Sequence, residues 1–338
     1  MYILYNYCIM NFKKQIFAMA RQDLKTLVFP EAGLSDTIVF AVKTIVNKKL
    51  AKVILIGDPS AFFSKYSNLE SENLKIINPS SSPLCAEVER FLLSRRGDKG
   101  ITPDVAAQLA QDHYYFSAAL VALSYADGIV CGSEGGASKT LRPALEIIKG
   151  KESGTLLSSG MIFVGKTRTF KRPVLLADPA LVQNPSASHL VDIAKCSVDL
   201  WKTIFLEEPK VAFLSYSTNQ SANGESVDKM RVAAQLFAMA CPEVISGGEM
   251  QLDCALSPRA QAKKLPGCRL RGDANILIVP DINAGNILAK SLGVVAGLST
   301  VGAIGLGFAK PISILGTIAT ADEIVMTAAI TAILAQVD

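Results

Sequence analysis

Charged and metal-binding side chains are scarce in this sequence of 338 residues. Charged residues make up 19% and the formal net charge is only +4, spread thinly along the chain, which argues against a nucleic-acid-binding protein. The two histidines, His113 and His189, lie far apart and offer no pair of metal ligands. The seven cysteines are widely spaced and form no CxxC motif. We therefore expect neither a zinc site nor a disulfide framework, and we expect a reducing, cytoplasmic location.

Long apolar runs and familiar catalytic motifs are also missing. The nearest candidate for a membrane span, residues 276–309, is interrupted by Pro280, Asp281, Lys290 and several glycines, so we predict no membrane-spanning helix. There is no GxSxG or HExxH motif, and the glycines of residues 302–307 lack the spacing of a dinucleotide fingerprint. Apolar residues nevertheless make up 50% of the chain, which is typical of a globular protein, and the length predicts about two domains.

Short buried strands alternate with amphipathic helices along the chain, a pattern that predicts an α/β fold with mainly parallel sheets. The predicted strands cover residues 27–29, 51–56, 128–131, 155–157, 162–164, 174–177, 211–214 and 275–279. The main predicted helices cover residues 36–48, 88–93, 103–109, 116–123, 141–148, 187–203, 227–241, 286–292 and 321–334. We also expect a helix over residues 11–21, a disordered extension over residues 1–9, and a domain boundary near residues 149–154.

A glycine-rich loop and a few arginines are the candidate anion-binding groups. Residues 132–139 (GSEGGASK) follow a strand and precede a helix, so their backbone N–H groups could cradle a phosphate; a plain strand–helix turn is the alternative. Arg96 lies in a basic turn with Arg95 and Lys99, and Arg142 follows the loop at the start of a helix. Arginine grips phosphates through its planar guanidinium group, although a solvated charge is the commoner role of a single surface arginine.

Polar side chains also follow predicted strands, at the edge where ligands bind in open parallel sheets. Asp281 and Asn286 flank the turn after the strand over residues 275–279. Residues 215–222 form a polar loop after another strand. For this loop, a turn with side-chain caps is the alternative to a binding role.

A row of alternating polar residues, Glu249, Gln251 and Asp253, would point to one side of a strand. Such a row could line a cleft, or it could be the solvent-exposed face of an edge strand. Near the C-terminus, Thr320 and Glu323 have the spacing of a capping box, which predicts a helix that begins at residue 321. From the residues alone we expect a two-domain enzyme that acts on an anionic small molecule.

Eleven segments, in register from about Met10 onward, stand in the order found in a known family. They are VFPEA (28–32), VILIGDP (53–59), SRRGDKGIT (94–102), DHYYFSAALV (112–121), TLRPALEIIK (140–149), LLADPALVQNPSASHLVDIA (175–194), VAFLSYST (211–218), GGEMQLDCAL (247–256), DANILIVPDINAGNI (273–287), GFAKP (307–311) and ADEIVMTAAITAI (321–333). Together they resemble the phosphate acetyl/butyryltransferase family and, within it, the phosphate acetyltransferases.

The resemblance implies two three-layer αβα domains with mainly parallel sheets and an active-site cleft between them. The first domain would comprise residues 10–153 plus 301–338, and the second residues 154–300. It also implies a homodimer that catalyses the reversible reaction of acetyl-CoA with phosphate to give acetyl phosphate and CoA, a step of acetate metabolism. Coenzyme A would be a substrate, with no further cofactor and no metal. Neither nucleic acid nor a membrane would be a partner.

The resemblance also assigns roles to individual residues. Arg96 and Arg142 match arginines that bind phosphate, and Glu323 matches the carboxylate that helps to deprotonate the CoA thiol. The thiolate would then attack the carbonyl carbon of acetyl phosphate directly. A positioned base helps because a free thiol is mostly protonated near neutral pH.

The chain departs from the family where a Ser-Arg pair usually follows the AKP segment. Gly316 and Thr317 occupy those two positions. Thr317 could supply the lost hydroxyl, and Lys310, Lys139 or Arg172 the lost positive charge. The predicted catalytic residues are therefore Glu323 and Thr317, and the predicted substrate-binding residues are Arg96, Arg142, Lys310, Ser133, Asp281 and Asn286.

Two alternatives stay open at this point. One is a sibling acyltransferase for a longer acyl group such as butyryl, a branch that the segment NILAKSL (286–292) favours slightly. The other is a catalytically degenerate relative that binds acyl-CoA as a sensor or a structural partner, which the replaced Ser-Arg pair suggests.

Overall fold

The computed structural model describes residues 2–31, 35–69, 71–152, 154–165 and 172–337, with side chains described for all of these except residues 2–9, 68 and 136–138. Within these ranges the strands are β1 (Thr26–Phe29), β2 (Lys52–Ile56), β3 (Leu74–Ile77), β4 (Gly128–Cys131), β5 (Ser158–Val164), β6 (Val174–Ala177), β7 (Lys210–Leu214), β8 (Ile245–Met250), β9 (Ile276–Ile278), β10 (Ser299–Leu306) and β11 (Ile312–Ile314).

The helices connect these strands along the chain. They are α1 (Tyr2–Ala20), α2 (Asp36–Asn47), α3 (Pro59–Lys65), α4 (Cys85–Arg96), α5 (Pro103–Leu109), α6 (His113–Ala122), α7 (Gly136–Pro143), α8 (Ala187–Ile204), α9 (Glu225–Ala240), α10 (Leu252–Leu256), α11 (Pro258–Lys264), α12 (Ile282–Lys290) and α13 (Ala321–Ala335). Helix α7 continues into a π-helical turn, Ala144–Ile148. No helix in the described part of the chain has the length and apolar character needed to cross a membrane.

The chain divides into two compact units. The first unit comprises Lys13–Thr155 and Phe308–Asp338, and the second comprises Met1–Phe12 and Leu156–Gly307. The sequence-based domain limits, 10–153 plus 301–338 and 154–300, stay a prediction.

The first unit is built on five parallel strands in the order β3-β2-β1-β4-β11. Because parallel strands end at the same edge of a sheet, the segments that follow the adjacent strands β1, β4 and β11 lie close together. Helix α13 packs against α2 and contacts β1, β4 and β11. Its side chains are buried almost all round, as expected for a helix that is apolar on every face.

The second unit has the strand order β10-β5-β6-β9-β7-β8. Strand β5 runs antiparallel to both β10 and β6, and the remaining pairs are parallel. The core includes the fully buried Trp201, whose ring stacks on Phe205 with 4.0 Å between centroids. Phe205 in turn stacks on Phe12 at 5.5 Å.

The predicted α/β class with mainly parallel strands is confirmed. Strand β6 has the predicted limits, whereas residues 155–157 form no strand, and β3, β10 and β11 were not predicted. Helix α1 begins at Tyr2 and not at residue 11, so residues 2–9, which we expected in a disordered extension, are helical. The reason is local: no glycine or proline occurs before Pro30 to interrupt a helix.

Candidate active site

A buried carboxylate occupies the glycine-rich loop at the sheet edge of the first unit. Glu31 directly follows β1 and is 1% exposed. Its two carboxylate oxygens accept hydrogen bonds from the four consecutive backbone N–H groups of residues 132–135, at 3.1, 3.1, 3.3 and 2.9 Å. The hydroxyls of Ser133 and Tyr114 also donate to Glu31, at 3.3 and 3.0 Å. The loop therefore cradles an anion, and this anion belongs to the chain itself.

Two glycines allow this close approach. Gly132 has φ +108°, and a Cβ there would lie 2.9 Å from the carbonyl oxygen of Leu315. A Cβ at Gly135 would overlap the hydroxyl of Tyr114. The backbone N–H of Leu315 donates to the Cys131 carbonyl at 2.6 Å, so the loops after β4 and β11 are in direct contact. The glycines in GSEGGASK are thus required by backbone geometry at these two positions.

A second carboxylate brings the two predicted arginines together. Glu146 lies in the π-helical turn after α7, and its Oε1 accepts from Arg96 Nη2 at 3.1 Å and from Arg142 Nε at 3.0 Å. Its Oε2 accepts from the Tyr115 hydroxyl at 2.7 Å. Three elements contribute to this cluster: α4 carries Arg96, α6 carries Tyr115 and α7 carries Arg142. We call these four residues the Glu146 cluster.

The Glu146 cluster carries a net positive charge. Burial alone would raise the pKa of the Glu146 carboxyl, but hydrogen bonds from Tyr115 and Arg142 and the charge of Arg96 outweigh it and lower that pKa. Burial and the hydrogen bond to Glu146 raise the pKa of Tyr115 to about 12, so its hydroxyl stays protonated as a donor. One ionised carboxylate facing two guanidinium groups leaves a charge of +1, available to an anion.

Further cations lie close to this cluster. Arg95 donates from Nη2 to the Ile147 carbonyl at 3.2 Å. The pKa of Lys149 is lowered, first by the charge of Arg95, then by burial and by the charges of Lys99 and Arg96. Nearby positive charges lower the pKa of a lysine because they disfavour its charged form. The basic turn of the sequence therefore adds positive charge beside the Glu146 cluster.

The Arg96 side chain is mostly buried, with 15% of it exposed, whereas 74% of the Arg142 side chain is exposed. The Nε of Arg96 is buried and has no hydrogen-bond partner among the described residues. A buried N–H group without an acceptor destabilises a fold unless another group accepts its hydrogen bond.

Glu323 begins α13 as predicted. Its Oε2 accepts from the backbone N–H of Thr320 at 2.9 Å, while the Thr320 hydroxyl faces the Glu323 N–H at 3.3 Å, which confirms the capping box. Thr317 is exposed and Lys310 is half-buried. A Cβ at Gly316 would meet no atom within 4 Å. All these residues belong to the first unit, and their predicted roles in substrate binding and catalysis stay predictions.

The other two predicted substrate-binding residues lie in the second unit. Asp281 caps α12 by accepting from the Ala284 N–H at 2.9 Å. Asn286 donates from Nδ2 to the Pro179 carbonyl at 3.3 Å. Asp281 is thus a helix cap, whereas Asn286 bonds to a residue distant in the sequence; their predicted roles in substrate binding stay predictions.

The predicted row of polar side chains on one strand is wrong for two of its three members. Strand β8 ends at Met250, Gln251 precedes α10, and Asp253 lies in the first turn of that helix. Only Glu249 lies on the strand; it is 2% exposed and accepts from Arg231 Nε at 3.0 Å. The alternation failed because the chain turns directly after the edge strand.

Sequence reasoning missed Glu31, Tyr115 and Glu146 as parts of the site. Glu146 could have been found, since it lies four residues after Arg142, the spacing at which helical side chains meet. Glu31 could not, because its partners lie about a hundred residues away in the sequence. In the described part of the chain no group of three or more His, Cys, Asp and Glu side chains could hold a metal ion.

The family model described as phosphate acetyl/butaryl transferase matches residues 11–332 of this chain. A phosphate acetyltransferase of Acetivibrio thermocellus is 34% identical over 333 residues, which are 97% of this chain and 99% of that protein. One of Helicobacter pylori is 36% identical over 327 residues, 96% of this chain and 62% of that protein. The crystal structure of a phosphotransacetylase from Streptococcus pyogenes superposes with a TM-score of 0.88 at 28% identity and covers 98% of this chain and 99% of that one.

The chain belongs to the phosphate acetyl/butaryl transferase family. The resemblance read from eleven sequence segments is thereby confirmed. The residues of the two carboxylate sites in the first unit lie in those segments, among them Glu31 in VFPEA, Tyr115 in DHYYFSAALV, Arg96 in SRRGDKGIT, and Arg142 and Glu146 in TLRPALEIIK. The structure thus connects family segments that are far apart in the sequence into two hydrogen-bonded clusters.

Proposed function

We propose that this chain is a phosphate acetyltransferase, an acyltransferase that moves an acetyl group reversibly between coenzyme A and phosphate. One observation carries the proposal. In a chain similar throughout to phosphate acetyltransferases, Arg96 and Arg142 converge on one carboxylate and keep a net positive charge between them. Guanidinium groups bind phosphates through charge-assisted hydrogen bonds.

The reaction needs one proton transfer and one exchange of bonds at the acetyl carbonyl. The CoA thiol gives its proton to a base, and the thiolate sulfur attacks the carbonyl carbon of acetyl phosphate. The bond from that carbon to the phosphate oxygen then breaks, and phosphate leaves with the bonding electrons. Holding both substrates in one site supplies much of the acceleration, and donors aimed at the carbonyl oxygen supply more.

We assign the roles as follows. Glu323 is the base, the role that the family resemblance gives it; it is a half-buried carboxylate in the first turn of α13. Thr317 donates its exposed hydroxyl to the developing oxyanion. Arg96 and Arg142 hold the phosphate. The remaining substrate contacts are proposed for Lys310, Ser133, Asp281 and Asn286.

The protein is proposed to work in the cytoplasm as a homodimer, with CoA and acetyl-CoA, phosphate and acetyl phosphate as its small-molecule partners. None of the six cysteines with described side chains forms a disulfide, which supports a reducing compartment. Light scattering coupled to gel filtration measures the oligomeric state; a mass of one chain would contradict the dimer.

The activity is tested with purified protein, CoA and acetyl phosphate, by following formation of the thioester. We expect saturation with both substrates and a kcat/KM about 10–100-fold lower for Arg142→Ala, the effect of one lost charge-assisted hydrogen bond. A parallel series with butyryl phosphate measures the acyl preference, for which we expect acetyl to be favoured.

A specific observation supports one rival function. Gly316 and Thr317 replace the family's Ser-Arg pair, as they would in a relative that binds acyl-CoA without turning it over. Folded protein that binds CoA but forms no thioester would establish that rival and end the proposal above.

A further inference from the structure

The contacts of Glu146 are unusual for a single surface ion pair. Both arginines contact the same oxygen, Oε1, at 3.1 and 3.0 Å, while the other oxygen is taken by the Tyr115 hydroxyl at 2.7 Å. Only 15% of the Glu146 side chain is exposed. The carboxylate is thus fixed by three donors from three helices, and its position fixes theirs.

Two guanidinium groups do not approach each other unaided. Both are positive at every physiological pH, so they repel, and each long side chain loses rotamer freedom when it is held in one place. Arg142 is the more demanding case, because 74% of its side chain lies in solvent. The shared oxygen of Glu146 offsets the repulsion and anchors both groups within a few ångströms of one point.

Two guanidinium groups held by one oxygen can both donate to a single phosphate group. Its oxygens accept bidentate hydrogen bonds from guanidinium groups, and its negative charge is complementary to the +1 left on the cluster. The buried Nε of Arg96, which lacks a partner among the described residues, adds a donor that is not used by Glu146. Glu146 itself cannot contact a phosphate favourably, since both are negative.

We propose that Glu146 is a positioning residue that sets the separation of the Arg96 and Arg142 guanidinium groups for one phosphate group. This inference rests on the proposed function and extends it to a residue that touches no substrate. The phosphate group belongs either to acetyl phosphate or to coenzyme A, and the two sources are separated by experiment.

The test compares wild-type protein with Glu146→Gln, which keeps the size of the side chain and removes its charge. Direct calorimetric titration with inorganic phosphate and, separately, with CoA gives dissociation constants that do not depend on turnover. We expect one of the two ligands to bind about tenfold more weakly, which corresponds to about 1.4 kcal/mol. In the acetyl-transfer assay the same loss is expected in KM for the matching substrate, with kcat changed less.

Two further variants keep the result interpretable. Asp228→Asn removes the same charge from another arginine ion pair, Arg231–Asp228 at 2.8 Å, and is expected to leave both dissociation constants unchanged. Because Glu146 is proposed to set the separation between Arg96 and Arg142, and no such separation exists once Arg142 is removed, Glu146→Gln should add little to the effect of Arg142→Ala in the double variant. Arg142 is exposed, so Arg142→Ala is expected to fold even if Glu146→Gln does not.

The outcomes separate the inference from the proposed function. Weakened phosphate or CoA binding without any turnover in wild-type protein would end the proposed function and keep the positioning role. Unchanged or tighter binding of both ligands to folded Glu146→Gln would overturn the positioning role, whatever the activity. Independent, additive effects of Glu146→Gln and Arg142→Ala would overturn it as well.

Discussion

The two units contain ion-pair clusters of opposite composition. In the first unit, Glu146 holds two arginines on one oxygen. In the second unit, Arg231 is held by two carboxylates, Glu249 at 3.0 Å and Asp228 at 2.8 Å. Both clusters are built around a largely buried glutamate, yet the first carries a net charge of +1 and the second a net charge of −1.

This difference in charge goes with a difference in exposure. The Arg142 side chain is 74% exposed, whereas that of Arg231 is 22% exposed. Glu249 also accepts from the Ser217 hydroxyl at 3.0 Å and from the Gln220 N–H at 2.7 Å, so its cluster orders a loop. A cluster with excess positive charge and an exposed arginine can bind an anion. The second cluster instead stabilises the fold through the hydrogen bonds and ion pairs of Glu249.

The largest effect on stability is expected from Glu249→Ala. Removing this carboxylate leaves the Gln220 N–H without its acceptor, removes one hydrogen bond of the Ser217 hydroxyl and takes a buried ion pair apart. We expect the free energy of unfolding to fall by about 3–5 kcal/mol, with KM for acetyl phosphate unchanged. Urea unfolding and steady-state kinetics measure the two effects; an altered KM would mean that the second cluster also serves the substrate.

Glu31→Ala sharpens the comparison because Glu31 lies in the same unit as Glu146 but forms no ion pair with an arginine of the described ranges. Four backbone N–H groups would lose their acceptor, and we expect a loss of about 3 kcal/mol in the free energy of unfolding. Since a row of N–H groups binds small anions, added formate should raise the melting temperature of the variant more than that of wild-type protein. An equal rise in both proteins would contradict the cradle.

The pH dependence of the free energy of unfolding, compared between wild-type protein and Glu146→Gln, tests whether the charge of Glu146 stabilises the fold. Burial by itself would raise the Glu146 pKa, but the bonds from Tyr115 and Arg142 and the charge of Arg96 bring it below the ordinary 4.5. A carboxyl with a lowered pKa stabilises the fold above the unfolded-state value, and this contribution is lost as the pH falls through the folded-state pKa.

The difference in unfolding free energy between wild-type protein and Glu146→Gln should therefore be constant above a pH of about 5 and shrink at more acidic pH. Denaturant unfolding at a series of pH values measures it. A difference that persists unchanged into strong acid would show that the charge of Glu146 does not contribute.

The smallest effect is expected from restoring the family pair with Gly316→Ser and Thr317→Arg. A side chain at Gly316 has open space, so the double variant should fold. Because the account gives the phosphate grip to the Glu146 cluster, and because the serine introduced at position 316 replaces the hydroxyl lost with Thr317, kcat/KM should change by less than about threefold. A gain much larger than this would favour the degenerate relative over the active enzyme.

Local patterns were enough to predict much of the fold. Strands such as β6 are continuous apolar runs between turn residues, and the Thr320–Glu323 capping box depends only on spacing along one helix. Strand β3 was missed because its sequence, LKII, is short and only half-buried. The strand expected through Glu249 and Asp253 was wrong because no local pattern marks the point where an edge strand turns into a helix.

Sequence reasoning named the two arginines of the Glu146 cluster but not the carboxylates Glu31 and Glu146, and the substrate-binding roles of Arg96 and Arg142 stay predictions. Arg96 and Arg142 were selected by family resemblance, and the distance between them in the sequence hides their common partner. In the sequence, Glu31 is an ordinary residue after a strand. It accepts hydrogen bonds only because the neighbouring strand β4 places the loop of residues 132–135 next to it. Contacts of this kind are set by sheet topology and cannot be derived from periodicity or composition.

The central claim is that the Glu146 cluster binds the phosphate group used by an acetyl-transferring enzyme. Its most direct test is acetyl-CoA formation at varied acetyl phosphate and varied CoA, for wild-type protein and for Arg96→Ala. The account predicts saturable turnover in wild-type protein and a rise of about tenfold or more in KM for one of the two substrates in the variant. Turnover with both KM values unchanged in Arg96→Ala would contradict it.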